Sequence, residues 1–338
     1  LKLDVIKVRK EVRNVVGLLA GSDPSVADET VIIGAHYDHL GQGGRSSMSP
    51  QLIGQVHHGA DDNASGTAGI IELAAALAKD PLVRRRAYLF IAFAGEELGL
   101  RGSDYWTNHP TRPLGKVVAM LNLDMIGRAR NGQVILSGIG TSPAFPDLAK
   151  TAAAEAGLEA RTSRSGYGSS DHQSFYTKNL PVLFFFSNLH SDHHRPSDTW
   201  DKINAAGALR ILDMVYTVAT SLNRMEARPQ FTKVDEPAPA GSPRGAGGSG
   251  YGTYFGSVPD MTDEVKGVRF TDVRPNSPAA KAGLRGQDIL VKFAGNQINS
   301  LEDFTFMLRT HKPGETVEVT VLRDGKPLTV QVTLETRR

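Results

Sequence analysis

AYLFIAFAGEELG, residues 87–99, sets the character of the chain. Ala87 to Ala94 is an unbroken apolar run, as expected of a strand covered on both faces, and it gives way at once to two carboxylates, Glu96 and Glu97. The same plan recurs on either side. VIIGA, residues 31–35, leads into His36-Tyr37-Asp38. VVAMLNL, residues 117–123, leads into Asp124. VLFFF, residues 182–186, leads after a short loop into His193 and His194. Between these runs lie segments with helical spacing: Ala68–Lys79 (AGIIELAAALAK), Pro143–Gly157 and Ile203–Leu222. The first is preceded by GADDNASG, which carries Asp61 and Asp62. Apolar strands alternating with helices predict an α/β fold, a mostly parallel sheet with helices on both faces, whose ligands gather beyond the C-terminal ends of the strands.

Composition divides the chain. Residues 1–228 read as the α/β domain. Residues 229–250, which include DEPAPAGSPRGAGGSG, hold little that can be buried and read as a Pro/Gly-rich linker. Residues 251–338 switch to short alternating strands, Val268–Val273, Asp288–Phe293, Thr316–Leu322 and Leu328–Leu334, with one helix near Ser300–Arg309. This is a small, mostly-β domain. A length of 338 residues suits two such units. The chain has no cysteine, which excludes disulfides, thiolate metal sites and a cysteine nucleophile. With 38 basic and 36 acidic side chains, charge gives no ground for nucleic-acid binding. No apolar run is long enough to span a membrane. The opening, LKLDVIKVRKEVRNVVGLL, has no initiator Met and reads as a processed or trimmed protein.

Five places therefore put metal-ligating side chain types at the ends of regular elements. Each has a plain reading: a lone strand-end His is often structural, and Glu96-Glu97 or Asp61-Asp62 could serve as helix caps. Their joint occurrence favours chemistry. Two His and three carboxylates suit two zinc ions sharing one bridging carboxylate. At the first place the natural division is His36 to metal and Asp38 behind its ring.

The motifs AHYDHLG, GADDNASGTAG, AGEELGLRGS, NLDMIG, SSDHQSF and HHRPSDTWDKI, in that order, resemble the M28 family of metallopeptidases over residues 12–222. The resemblance implies a zinc aminopeptidase. By it, Asp61 would bridge two zinc ions, Glu97 and His194 would complete one, and His36 and Asp124 the other. Glu96 would be the general base toward a metal-activated water. Tyr167 and His193 would be donors to the reacting oxygen, although many relatives carry Tyr in place of His193. Tyr167 could instead simply cover the pocket, and His193 could be a solvated loop residue. Met125, Phe175, Phe184, Phe185 and Phe186 are candidates for an apolar side-chain pocket, with sheet core as the alternative. Such a pocket would favour large apolar N-terminal residues. His39, His57, His58, His109, His172 and His190 read as surface or supporting residues.

Residues 251–338 resemble a bacterial-type PDZ domain, through GTYFGSVPD and VRFTDVRPNSPAAKAGLRGQDILVKFAGNQINSLEDF. The resemblance implies a peptide groove at Tyr254, Phe255, Gly256 and Ser257 that takes a C-terminal peptide. The alternative is a packing module with an empty groove. The expected substrates are peptides with free N-termini, and the expected setting is secreted or periplasmic. Three other functions stay open. A glutamate-carboxypeptidase-like enzyme would need a basic pocket, for which Arg128, Arg130, Arg161 and Arg164 are available. A glutaminyl-cyclase-like enzyme would manage with one zinc, and a non-catalytic binding protein with no turnover.

Overall fold

The computed structural model describes residues 10–44, 46–234, 253–259, 265–274, 276–299 and 301–336. In chain order the first domain contains β1 (Val15–Leu19), β2 (Thr30–His36), α1 (Gly66–Lys79), β3 (Ala87–Phe93), α2 (Arg101–Asn108), β4 (Val117–Leu123), β5 (Gln133–Ser137), α3 (Phe145–Glu155), β6 (Glu159–Thr162), α4 (His172–Tyr176), β7 (Val182–Phe186) and α5 (Ala205–Arg224). The seven strands form one sheet in the order β1-β3-β2-β4-β7-β5-β6. Its centre, β3-β2-β4-β7, is parallel, as is the β5–β6 pair. The β1–β3 and β5–β7 joints are antiparallel.

Every residue of β2 and β4 is buried, because helices cover both faces of the sheet. Alternation along the strands then sorts side chains between two cores. Val31, Ile33, Phe90 and Leu121 pack with Ile70 and Leu73 of α1, Ala149 of α3 and Met214 and Val218 of α5. Ile32, Leu89, Ile91 and Met120 turn the other way, toward Trp106 of α2 and Phe175 and Tyr176 of α4. The edge strand β1, VVGLL, is apolar yet exposed along most of its length.

Arg86, at the entry to β3, is a buried cation fastened to the end of α5. Its guanidinium meets Glu29 at 2.6 Å and donates to the carbonyls of Asn223 at 2.9 Å and Met225 at 2.5 Å. A cation among the last carbonyls of a helix satisfies acceptors that the helix itself leaves open. Residues 229–234, assigned to the linker by composition, lie against the first domain. Phe231 packs on Tyr176 with ring centroids 5.6 Å apart, and the amides of Thr232 and Val234 donate to Thr141 O and the Tyr176 hydroxyl. The Phe231 ring, with a place to bury, is what holds this part of the segment to the domain. The rest of the expected linker, residues 235–250, lies outside the described residues.

The second domain contains β8 (Thr253–Tyr254), β9 (Ser257–Pro259), β10 (Val268–Val273), α6 (Pro278–Lys281), β11 (Ile289–Phe293), β12 (Asn296–Gln297), α7 (Leu301–Thr310), β13 (Thr316–Arg323), β14 (Lys326–Thr333) and β15 (Glu335–Thr336). Its main sheet runs β14-β13-β11-β10-β9, which leaves β9 at an edge. Phe255, Phe270, Phe293 and Phe304 meet at its centre. Asp288, buried in the GQDIL turn, is held by Arg323 at 2.7 Å. Among the described residues no helix is long and apolar enough to cross a membrane.

Candidate metal centre

Four strands of the parallel centre point their C-terminal ends at one place. His36 ends β2, Glu96 and Glu97 follow β3, Asp124 follows β4, and the loop after β7 brings in His193 and His194. The fifth contribution comes from the turn 60–65 ahead of α1. Gly59 admits this turn: it has φ +63°, and a Cβ there would strike Asp62 O and the His39 ring.

The carboxylate that this turn presents is Asp62, which corrects the expectation for Asp61. Asp62 Oδ1 lies 3.3 Å from His36 Nε2, which is itself 3.4 Å from Asp124 Oδ1. Asp62 Oδ2 lies 3.2 Å from His194 Nε2, which is itself 3.1 Å from Glu97 Oε2. One carboxylate thus faces both groups. Asp61 points away: its Oδ1 accepts from Gly127 N at 2.6 Å and Ser65 Oγ at 3.0 Å, and its Oδ2 sits 3.0 Å from His190 Nε2. Successive side chains in this non-helical turn diverge, with Asp62 at φ −108°, ψ 91°, and two adjacent aspartates offer no sequence signal as to which faces the cluster.

Both imidazoles are held in one tautomer. His36 Nδ1 is 3.0 Å from Asp38 O and His194 Nδ1 is 2.9 Å from Ser46 O. A carbonyl only accepts, so each Nδ1 donates and each Nε2 of the neutral ring keeps its lone pair toward the cluster. Asp38 was expected behind the His36 ring through its carboxylate. That role falls to its backbone carbonyl, while the carboxylate, 3.8 Å from Nδ1, accepts from the amides of Glu96 at 3.1 Å and Glu97 at 3.4 Å.

The electrostatics show an excess of negative charge around these nitrogens. Burial opposes a charge on His36, yet Asp124 and Asp62 outweigh it and hold its pKa well above the ordinary value. His194 is likewise raised, against burial, to about 11 by Asp62 and Glu97. Burial would raise both carboxylates, but the imidazoles prevail: Glu97 falls to about 2 beside His194 and His39, and Asp62 falls well below its usual range. Glu96 goes the other way, pushed well above the carboxylate range by burial, with Asp124, Asp171 and Glu97 adding to it.

The donor set fits zinc: His and carboxylate donors lie within 4.8 Å of one another in three overlapping groups that all include Asp62. Asp124 Oδ1 is buried and has no hydrogen-bond partner among the described residues, as expected of an atom reserved for a cation. Two of the groups bring in histidines outside the expected ligand set. His39 Nδ1 is 2.8 Å from Glu97 Oε1, although it was assigned to the surface or a supporting role. His193 Nε2 is 3.5 Å from Asp62 Oδ2, with its ring stacked 3.9 Å from that of His194.

Three anchors behind the cluster escaped the sequence reading. Asp198 Oδ2 accepts from the amides of Asp61 at 2.9 Å and Asp62 at 3.1 Å. Asn63 bonds Leu123 O and accepts from Met125 N. Ser170 donates to Asp124 at 2.7 Å. Ser170 and Asp198 both lie inside quoted motifs, SSDHQSF and HHRPSDT, which is the signal that pointed to them. His57 is buried and ties the 41–59 loop through Ser47 at 2.7 Å.

Of the pocket candidates, Met125, Phe184 and Phe186 gather with Ile135 and Leu189 in a small apolar cluster of their own. Phe185 faces the main core, as alternation requires. The expectation for Phe175 is corrected: it is fully buried between Trp106 and Phe93, because α4 turns its apolar side into the sheet. Tyr167 is exposed on a loop, edge-on to Tyr176 at 4.8 Å. Arg128 is already engaged by Asp192 at 3.1 Å. Tyr254, Phe255, Gly256 and Ser257 surround a turn at φ +92°, leading into β9, and Phe255 is part of the core.

The geometry agrees with the comparisons. Residues 14–219 match the model of peptidase family M28, and residues 256–334 match that of the PDZ domain. A probable leucine aminopeptidase of Arthroderma otae is 30% identical over 213 residues, 59% of this chain and 56% of its own. The structure of a zinc aminopeptidase from Bacillus subtilis aligns at 27% identity with a TM-score of 0.50, over 61% of this chain and 48% of that one. The chain thus spans about half the length of these relatives. The periplasmic pH-dependent serine endoprotease DegQ of Escherichia coli is 39% identical over 74 residues, 22% of this chain and 16% of its own. With the motif order, the strand-end cluster and a family match over most of its first domain, the chain belongs to peptidase family M28 and carries a PDZ domain after the peptidase domain.

Proposed function

We propose that the chain is a zinc aminopeptidase that holds two ions, one between His36, Asp62 and Asp124 and the other between Asp62, Glu97 and His194. The observation that carries this reading is Asp62, whose two oxygens face two separate sets of donors. Zinc bound there would supply Lewis-acid polarisation of a peptide carbonyl and a lowered pKa for water. The protein's own part is positioning and proton transfer. Asp38 and the Ser46 carbonyl lock the orientations of the Glu96-Glu97 turn and of the His194 ring. Glu96, raised by burial, is suited to take a proton on its carboxylate from the attacking water and return it to the departing amine. His193, beside Asp62, and Tyr167 are proposed as donors to the reacting oxygen.

The excess negative charge of the cluster suits a substrate's free α-ammonium, and the Met125–Phe184–Phe186 cluster suits a large apolar side chain. Arg128 meets Asp192 at 3.1 Å through one nitrogen, while its Nη1 is buried with no hydrogen-bond partner among the described residues, so a glutamate-carboxypeptidase-like enzyme stays as the second reading. In the PDZ domain, the open edge of β9 and the Gly256 turn support binding of a C-terminal peptide. A secreted or periplasmic setting belongs to the same reading, supported by the likeness to a periplasmic protease, and cell fractionation tests it.

The test of function is a screen of free and N-blocked peptides, repeated with Glu96→Ala. Cleavage confined to free N-termini is expected, lost in the variant while two zinc ions per chain remain by elemental analysis. Equal cleavage of blocked peptides, or zinc binding without turnover, would overturn the proposal.

A further inference from the structure

A cavity of about 490 Å³ is lined by the loop that carries His193 and His194, with Met48, Asp192 and Arg195 on one side and Arg274, Lys281 and Glu335 of the PDZ domain on the other. That volume falls within the range of small-ligand sites. Its lining includes nothing from β9 or α7, although Tyr254, at one end of the expected PDZ peptide groove, is part of it. The wall nearest the cluster is continuous with it. Arg195 follows His194 in sequence, and Met48 N donates to His194 O at 2.9 Å.

Charge decides what the cavity takes. Asp192 is neutralised by Lys202 at 2.7 Å and Arg128 at 3.1 Å, and Glu335 by Lys281 at 2.5 Å. Arg195 donates one Nη1 bond to Ser49 Oγ at 2.8 Å, while its Nε is buried with no partner among the described residues. A buried guanidinium N–H left without an acceptor is costly, and the planar fork of arginine matches a carboxylate.

We infer that this cavity holds the carboxylate end of a short peptide whose amino end lies at the Asp62 cluster, with Arg195 as its main partner and Lys281 closing the far wall. The inference rests on the aminopeptidase reading and gives it a substrate class: short peptides with a free C-terminus. A long or amidated peptide gains nothing from the cavity.

The test compares kcat/KM for Leu-Gly-Gly and its C-terminal amide, with leucine p-nitroanilide as a substrate lacking both, using the full zinc-loaded chain. The acid is expected to be favoured over the amide by about tenfold, chiefly through KM, as one charge-assisted hydrogen-bonded pair would give. That ratio should fall toward one in Arg195→Gln. It should also fall in Lys281→Glu, whose site is exposed, lies on the other domain and is remote from the ligands. Equal rates on acid and amide in the unaltered protein, or a ratio untouched by Lys281→Glu, would overturn the inference. Failure to hydrolyse any of the three substrates would instead sink the aminopeptidase reading.

Discussion

The two domains build their sites in opposite ways. The peptidase domain draws side chains from five segments between His36 and His194 to one point, and among the described residues Asp62 alone faces both halves of the cluster. The PDZ domain presents a contiguous backbone edge, β9, after a single glycine turn. A site made of convergent side chains concentrates its fate in a few residues; one made of backbone spreads it over the packing beneath.

The largest expected effect breaks the first site at its shared residue. Asp62→Ala should strip zinc from both positions, read by elemental analysis, whereas Asp61→Asn should leave both ions in place. Zinc retention in the former would reverse the assignment of the two aspartates. Next comes Asp198→Ala, which removes the acceptor for the Asp61 and Asp62 amides and should weaken zinc binding by about 10–100-fold, the usual scale for residues that orient ligands. A chelator competition titration measures this.

A third prediction concerns acid stability. His172 is fully buried, stacked on Phe184 at 4.5 Å, and burial drives its pKa down to about 3. Below pH about 6.5 the unfolded chain takes up a proton that the folded protein refuses. The stability that a neutral His172 contributes is therefore whole above pH 6.5 and is lost progressively as pH falls toward 3. At pH 5 the loss is about 2 kcal/mol relative to pH 7. His172→Phe, which keeps the stacked ring, should flatten that slope in denaturant melts at the two pH values. The smallest effect on chemistry belongs to the second domain. Asp288→Ala removes the partner of Arg323 and should cost the PDZ domain about 1–3 kcal/mol. Hydrolysis of leucine p-nitroanilide should not change, and a parallel loss of rate would mean that the domains are not separable.

The same contrast governs what could be read without coordinates. The apolar central strands and the polar residues at their ends were plain, since strands buried on both faces must be apolar throughout and the residues that end them stand out. The edge strand β6, EART, is short and polar and carries no such pattern, and β1, VVGLL, is apolar but only five residues long, with no metal-ligating side chain at its end to single it out. At the site, residue types and order were legible, but direction was not. Asp61 and Asp62 differ only in which way a turn faces them, and Asp198 acts through backbone amides, which leave no trace in residue type. Phe175 looked like a pocket wall because an apolar residue near a motif fits a core as well as a cleft.

Arg86 also fixes where the peptidase domain ends as a physical object. The family match stops at residue 219, yet the buried guanidinium takes carbonyls from Asn223 and Met225, and Tyr176 is covered by Phe231. A protein cut at the end of the match would leave the buried guanidinium with Glu29 but without its carbonyl acceptors from Asn223 and Met225, and would uncover an aromatic floor beneath the Tyr167 loop. The shortest version expected to keep its shape therefore runs through Val234, fifteen residues past the point where sequence likeness ceases.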